Sequence, residues 1–148
     1  WSAGRRYFSP QKAKETLASA IQIGNPVSAP RALRALLAMD GVAEQASEDE
    51  LCDAAARADK TGMYTCPHTA VALVALEKLV KRGLVKKKDR VIVVSTASGL
   101  KFTEFKVGYH DRAIEGVSAA HANPPVTLPP DYAQVLDVLS KHAESRVG

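Results

Sequence analysis

The period of the apolar positions changes several times along the 148 residues, and each change marks an element. Val91 to Val94 is an unbroken β-branched run, which predicts a strand buried on both faces, as in a parallel sheet covered by helices. It ends in Ser95-Thr96-Ala97-Ser98-Gly99, small residues that let a ligand approach the backbone at the strand edge where open α/β sheets bind. On composition alone the same residues also read as a tight glycine turn with hydroxyls capping backbone groups.

Upstream, Leu17, Ala20, Ile21 and Ile23 form a short apolar stretch, closed by the turn Gly24-Asn25-Pro26. Ser28 is placed to cap a helix with Pro30 in its first turn and Leu33, Leu36 and Leu37 on one face, ending near Asp40-Gly41. Gly41 to Gln45 is a candidate short strand anchored by Val42. Ser47-Glu48-Asp49-Glu50 matches a capping box, opening a helix that carries Leu51, Ala54, Ala55 and Ala58 inward until Thr61-Gly62 stops it. Met63 to Cys66 is extended and runs into Pro67-His68-Thr69. Ala70 to Leu76 is then apolar on every side, as a central helix is, and Gly83 ends that helix behind Lys78, Lys81 and Arg82. The middle of the chain alternates strand and helix, so the fold class is α/β, a partial open sheet flanked by helices. After Phe105 the pattern weakens. Residues 106–130, with Pro124-Pro125 and Pro129-Pro130, are expected to wrap the surface with little regular structure, and Asp131 caps a last helix with Tyr132, Val135, Leu136 and Leu139 in one stripe. Three stretches follow: 1–15, a connecting or exposed basic segment; 16–105, part of an α/β domain; and 106–148, a wrapping tail with a terminal helix.

Composition adds limits rather than chemistry. At 46% hydrophobic and 24% charged the chain is ordinary globular material. The net charge of +4 gathers largely at Arg5-Arg6 and Lys86-Lys87-Lys88, without interleaved aromatics, which argues against a nucleic-acid surface. No apolar run is long enough to span a bilayer. Cys52 and Cys66 stand in unlike contexts and read as free thiols of a reducing compartment, and no metal site is expected.

Chemistry concentrates at two places. Pro67-His68-Thr69 starts a buried helix, whose unpaired N–H groups and positive dipole end suit an anion, with His68 as an added proton donor; the plainer reading is that Thr69 caps the helix and His68 fills space. Facing it would be the hydroxyls of the 95–99 stretch. His110, His121 and His142 show no ligand spacing, and the chain has no GxSxG elbow and no phosphate-binding glycine loop.

Ala18-Ser-Ala-Ile-Gln-Ile-Gly-Asn-Pro-Val-Ser28, Thr61-Gly-Met-Tyr-Thr-Cys-Pro-His-Thr-Ala-Val-Ala-Leu73 and Val93-Val-Ser-Thr-Ala-Ser-Gly-Leu-Lys-Phe-Thr103, with Tyr109-His110 and Asn123-Pro124-Pro125-Val126, resemble the carboxyl-terminal part of plant-type threonine synthases, in order and spacing. The resemblance implies the carboxyl-terminal part of the large domain of fold-type II pyridoxal-phosphate enzymes, in a protein that converts O-phosphohomoserine and water to threonine and phosphate. It implies that Thr96 hydrogen-bonds the pyridine nitrogen, that Ser95 and the Gly99 turn support it, and that Pro67, His68, Thr69 and Asn25 line a substrate or anion site. The lysine that holds the cofactor as a Schiff base and the phosphate-cradling loop lie upstream in the family, so no catalytic residue is assigned in this chain, which by itself is expected to be inactive. Ser98 stands where the family commonly has His, and Ala70 where it has Gly. The expected partners are the amino-terminal part of the enzyme or a partner chain, in a homodimer or larger assembly, and the expected compartment is the plastid. The competing expectation is a structural or interaction subunit that has lost catalysis.

Overall fold

The structure, a computed structural model, describes residues 7–144, so the basic pair Arg5-Arg6 lies outside the described residues. Five α-helices follow in order: α1 (Ala29–Ala38), α2 (Glu48–Asp59), α3 (Pro67–Lys81), α4 (Thr103–His110) and α5 (Tyr132–Glu144). Two single 3-10 turns, Ser19–Ile21 and Gly99–Lys101, complete the regular structure among the described residues.

The core is the seam between α2 and α3, closed at one end by α4. α2 forms where the capping box predicts it, the Ser47 hydroxyl accepting from the Glu50 amide at 3.2 Å and the Glu50 carboxylate from the Ser47 amide at 2.8 Å. Its inward face is Leu51, Cys52, Ala54, Ala55, Ala56 and Ala58, and side chains this small let α3 approach closely. Ala70 and Val74 of α3, Phe105 and Tyr109 of α4, and Ala119 fill the remainder. Gly62 and Gly83, at φ +86° and +72°, take the left-handed backbone that ends α2 and α3.

The apolar run of α3 is less deeply placed than its sequence suggests. Thr69, Ala70 and Val74 are buried, whereas Val71, Leu73 and Leu76 are only partly buried, Val71 and Leu73 packing at the margin of the core. Ion pairs staple that helix to α2 and to the segment before it: Arg57 with Glu77, Lys78 with Glu50 at 2.8 Å, and Arg82 with Glu44 at 2.9 Å.

Five expectations change. No strand is present among the described residues, and the only β pairing there is an isolated antiparallel bridge between Thr65 and Ser98. Gly41 to Gln45 is irregular, fixed from outside by Lys78, whose ammonium donates to the Gln45 carbonyl at 2.8 Å. Val91 to Val94 is unpaired and open, with Ile92 91% and Val94 70% exposed. A strand buried on both faces needs neighbours on both sides, and the described residues supply no strand beside it. α4 occupies a stretch whose second half falls in the region expected to be irregular; Phe105 and Tyr109, four residues apart, give it a buried face. Ser28 makes no side-chain cap bond to α1, whereas Asp131 does cap α5, its carboxylate accepting from the Gln134 amide at 2.9 Å.

Beneath the Thr65–Ser98 bridge, Lys106 is 3% exposed and its ammonium binds both carboxylate oxygens of Asp59, at 2.8 and 2.7 Å. Removing one partner of such a pair strands the other as a buried charge. Lys106→Met is therefore expected to lower the stability of the intact protein by about 3 kcal/mol in urea unfolding, and adding Asp59→Asn to recover part of that loss. A loss within the ~0.5 kcal/mol of an ordinary surface change would show that the pair holds nothing together.

Candidate functional site

The Thr65–Ser98 bridge brings together the two stretches that carry candidate chemistry. The Gly99 amide donates to the Tyr64 carbonyl at 2.9 Å and the Cys66 amide to the Ala97 carbonyl at 3.3 Å. Gly99 is buried in this contact. A Cβ built there would lie 2.8 Å from the Thr65 carbonyl oxygen, 2.8 Å from Lys106 Cε and 2.9 Å from Tyr64 Cδ1, so the position accepts only hydrogen.

Pairing of these backbones sets Cys66, the first-turn residue Thr69 and the hydroxyls of Ser95 and Thr96 side by side. Cys66 caps α3, its sulfur accepting from the Thr69 amide at 3.4 Å, so the cap is Cys66 and not Thr69. The sulfur lies 3.2 Å from Thr69 Oγ1 and 3.6 Å from Thr96 Oγ1. Thr69 Oγ1 in turn accepts from the Thr96 amide at 3.3 Å and sits 3.4 Å from Ser95 Oγ. Cys66 and Thr69 are buried, while Ser95 and Thr96 are exposed, so a concealed pair supports an accessible one.

His68 acts on the Cys66 thiol and also reaches away from the cluster. Its Nε2 accepts from the Ala20 amide at 2.9 Å and its ring meets Phe102 edge-on at 5.1 Å, which ties the Ser19–Ile21 turn to the start of α3. Pro67 is buried at the first position of α3. Asn25 is exposed in the turn beyond the Ser19–Ile21 segment, and no hydrogen bond joins it to the cluster. Ser98 caps the Gly99–Lys101 turn through the Leu100 amide at 3.2 Å, and Ala70 is fully buried.

The cluster has an electrostatic consequence. Burial pushes the Cys66 thiol up, but hydrogen bonds from the Thr69 hydroxyl and amide, the Thr96 hydroxyl and the His68 imidazole outweigh it and bring the thiol down to about 6. Cys52 shows the contrast. Burial and the nearby Glu48, Asp49 and Asp53 carboxylates push it up to about 12. Both cysteines are free, and among the described residues no group of three or more His, Cys, Asp or Glu is placed to hold a metal.

A second concavity of about 680 Å³ is lined by Asp59, Tyr64, His110, His121 and Asn123. His110 Nδ1 accepts from the Asn123 amide at 3.0 Å. Its imidazole is lowered from the ordinary range, first by burial, so it is held neutral. The sequence offered no spacing signal for this pair of histidines, because Asn123 and Ala122 fold back from a distant loop.

The hydroxyls of Ser95, Thr96 and Thr69 thus form a wall at the start of α3. Such a wall is found in a chain that belongs to the family of pyridoxal-phosphate dependent enzymes, whose family model matches residues 2–97. Among individual relatives, the chain is 52% identical over 138 residues to threonine synthase 2, chloroplastic, of Arabidopsis thaliana, covering 93% of this chain and 27% of that protein. It is 39% identical over 93 residues to threonine synthase of Methanocaldococcus jannaschii, covering 62% of this chain and 23% of the relative. The chain therefore spans about a quarter of the length of these relatives.

Two outcomes are expected from this geometry. Gly99→Ala forces its methyl against the Thr65 carbonyl and is expected to cost about 1–3 kcal/mol in urea unfolding; a neutral result would mean that the bridge opens without penalty. Because the Cys66 thiol is lowered from 9.0 to about 6 on folding, its contribution to stability is present above the unfolded value and is lost as pH falls toward 6. Replacement by Ser is expected to remove that part of the rise in stability between those pH values, read as the wild-type minus Cys66→Ser difference.

Proposed function

We propose that this chain is a portion of a threonine synthase, an enzyme that converts O-phosphohomoserine and water to threonine and phosphate, and that it supplies one wall of the pyridoxal-phosphate site. The observation that carries the reading is the meeting of the Ser95 and Thr96 hydroxyls with the first turn of α3. The relatives lend it specificity. The family model ends at residue 97, but the similarity to the Arabidopsis threonine synthase takes in 138 of the 148 residues and so covers most of the stretch beyond. A structural subunit without catalysis is not favoured, since no feature of the wall calls for it.

In this reading the Val91 to Val94 segment is a strand of an open sheet whose other strands lie on the remainder of the protein. Residues 16–105 belong to the cofactor domain and 106–148 form a tail around it, with 1–15 as the connecting segment. The complete protein acts as a homodimer in the plastid, the compartment named for the Arabidopsis relative.

Thr96 would hold the pyridine nitrogen, with Ser95 beside it and Gly99 keeping the turn close. Pyridoxal phosphate, when bound, supplies the electron sink for carbanion chemistry at the substrate amino acid. The contribution of this chain is to tune and orient. A neutral hydroxyl opposite the ring nitrogen does not fix a proton there as a carboxylate would, which moderates the sink and suits elimination and replacement. Thr69 fixes the Thr96 main chain, and the positive end of α3, opened by Pro67, favours an anionic group in the pocket beside it. His68 and Asn25 are assigned to the rim of that pocket, His68 braced by the Ala20 amide.

The full-length protein carrying this chain is expected to release threonine and phosphate from O-phosphohomoserine, and Thr96→Val to lower turnover by about tenfold, the kinetic equivalent of one lost hydrogen bond to a charged or developing-charge group. Absence of phosphate release by the cofactor-loaded wild type would overturn the assignment.

A further inference from the structure

Thr96 has one hydroxyl proton and two directions in which to send it. Outward, its exposed oxygen faces whatever the wall receives; inward, it meets the sulfur of Cys66 at 3.6 Å. The two directions exclude each other. We propose that Cys66 is a positioning residue for Thr96, its sulfur deciding whether the Thr96 hydroxyl donates outward to the ring nitrogen or inward to the protein. This rests on the reading of Thr96 as the partner of that nitrogen.

The separation between the two groups is set by backbone. The Cys66 amide donates to the Ala97 carbonyl at 3.3 Å, and its carbonyl accepts from the Ala70 amide at 3.1 Å. The Thr96 amide donates to Thr69 Oγ1 at 3.3 Å, and Thr69 Oγ1 also touches the sulfur at 3.2 Å. Neither Cys66 nor Thr96 moves away without breaking the start of α3. Cys66 is completely buried and is the side chain through which the α3 cap and the exposed hydroxyl meet.

The consequences of its protonation follow from donor counting. As a thiol, Cys66 has one proton to donate, to Thr96 Oγ1 at 3.6 Å or to the nearer Thr69 Oγ1 at 3.2 Å, and in either case it does not require the Thr96 proton, which is left free to point outward to an unprotonated nitrogen. As a thiolate, it is only an acceptor. Thr96 then donates inward and presents lone pairs outward, matching a nitrogen that carries its own proton. Negative charge on sulfur is in this way passed through one hydroxyl to the ring. The charged and titratable groups around it are few: His68 from the first turn of α3 acts on the thiol, and Asp59 and Lys106, which approach the neighbouring Thr65 and Gly99, are paired with each other.

The test uses the full-length protein, wild type and with Cys66→Ser, Cys66→Ala or Thr96→Val, with circular dichroism to confirm folding. Ser retains an acceptor for the Thr69 amide, so this variant carries the test even where Ala disturbs α3. In the cofactor-free protein, ultraviolet absorbance of the thiolate, taken as the difference between wild type and Cys66→Ser, reports Cys66 titration. In the loaded protein, the visible band of the cofactor is followed against pH. Thr96→Val is expected to move the Cys66 midpoint upward by about one pH unit, a tenfold fall in thiolate at fixed pH, by losing one donor to sulfur. The cofactor band of the wild type is expected to change over the same pH interval, and that change to vanish in Cys66→Ser, whose hydroxyl does not ionise. An unmoved midpoint in Thr96→Val, or a pH-dependent band that persists in Cys66→Ser, overturns the proposal. If the midpoint moves but Thr96→Val leaves the cofactor band itself unaltered, the pairing of Thr96 with the ring nitrogen is overturned and only its coupling to Cys66 remains.

Discussion

The buried ion pair of Lys106 and Asp59 is the constraint to which the candidate site answers. Asp59 ends α2, its carboxylate accepting from the Thr65 amide at 3.3 Å, and Lys106 rises from α4 with its ammonium 4.7 Å from the centre of the Tyr64 ring. Four pieces of chain therefore converge on one charge pair: the end of α2, the 64–66 segment, α4 and, through the tight contact at Gly99, the turn after Ser98. An ammonium taken out of water is costly unless every part of its surroundings compensates. Here two carboxylate oxygens and an aromatic face do so, and any rearrangement of the bridge disturbs that compensation. The hydroxyl wall inherits its geometry from this arrangement rather than from a sheet.

A cysteine at the start of α3 is an uncommon choice of cap, since oxygen side chains accept backbone hydrogen bonds better. What sulfur offers is reach. Its longer bond and larger radius allow contacts of 3.2, 3.4 and 3.6 Å to three different groups on two segments. The four groups that converge on it, the Thr69 hydroxyl and amide, the Thr96 hydroxyl and the His68 imidazole, also explain why one cysteine is acidic while Cys52, only fourteen positions earlier and surrounded by carboxylates, is the reverse. Burial acts upward on both; the sign is decided by which partners the backbone aims at the sulfur.

What was legible in the sequence is what depends on near neighbours. The Ser47–Glu50 box, the stops at Gly62 and Gly83 and the Asp131 cap are all encoded within a few residues, and all form as read. That the 95–99 hydroxyls face the helix start at Pro67 was read from the strand-end and helix-start patterns, but the bridge that pairs Thr65 with Ser98 was not, because no period or spacing links residues thirty apart. α4 was hidden by Gly108 and by the polar residues between Phe105 and Tyr109. The burial of Lys106 depends on Asp59, forty-seven positions away, and so leaves no local mark in the sequence. The neutral histidine His110 was unreadable for the same reason.

The segment from Val91 to Val94 was read for what it needs, and that reading identifies what the structure lacks. Val91, Ile92 and Val94 are exposed, which is unfavourable by roughly 1–2 kcal/mol each relative to burial, and the same deficit recurs on α5, where Tyr132, Leu136 and Leu139 are exposed. The chain presents 11101 Å² of surface, against about 7,300 Å² for a compact protein of its mass. The excess is apolar in these places, next to a site whose polar wall is already assembled. A chain organised in this way has its chemistry-bearing edge fixed by its own buried ion pair, while apolar faces on the 91–94 segment and on α5 stay exposed; the relatives it matches are about three times as long.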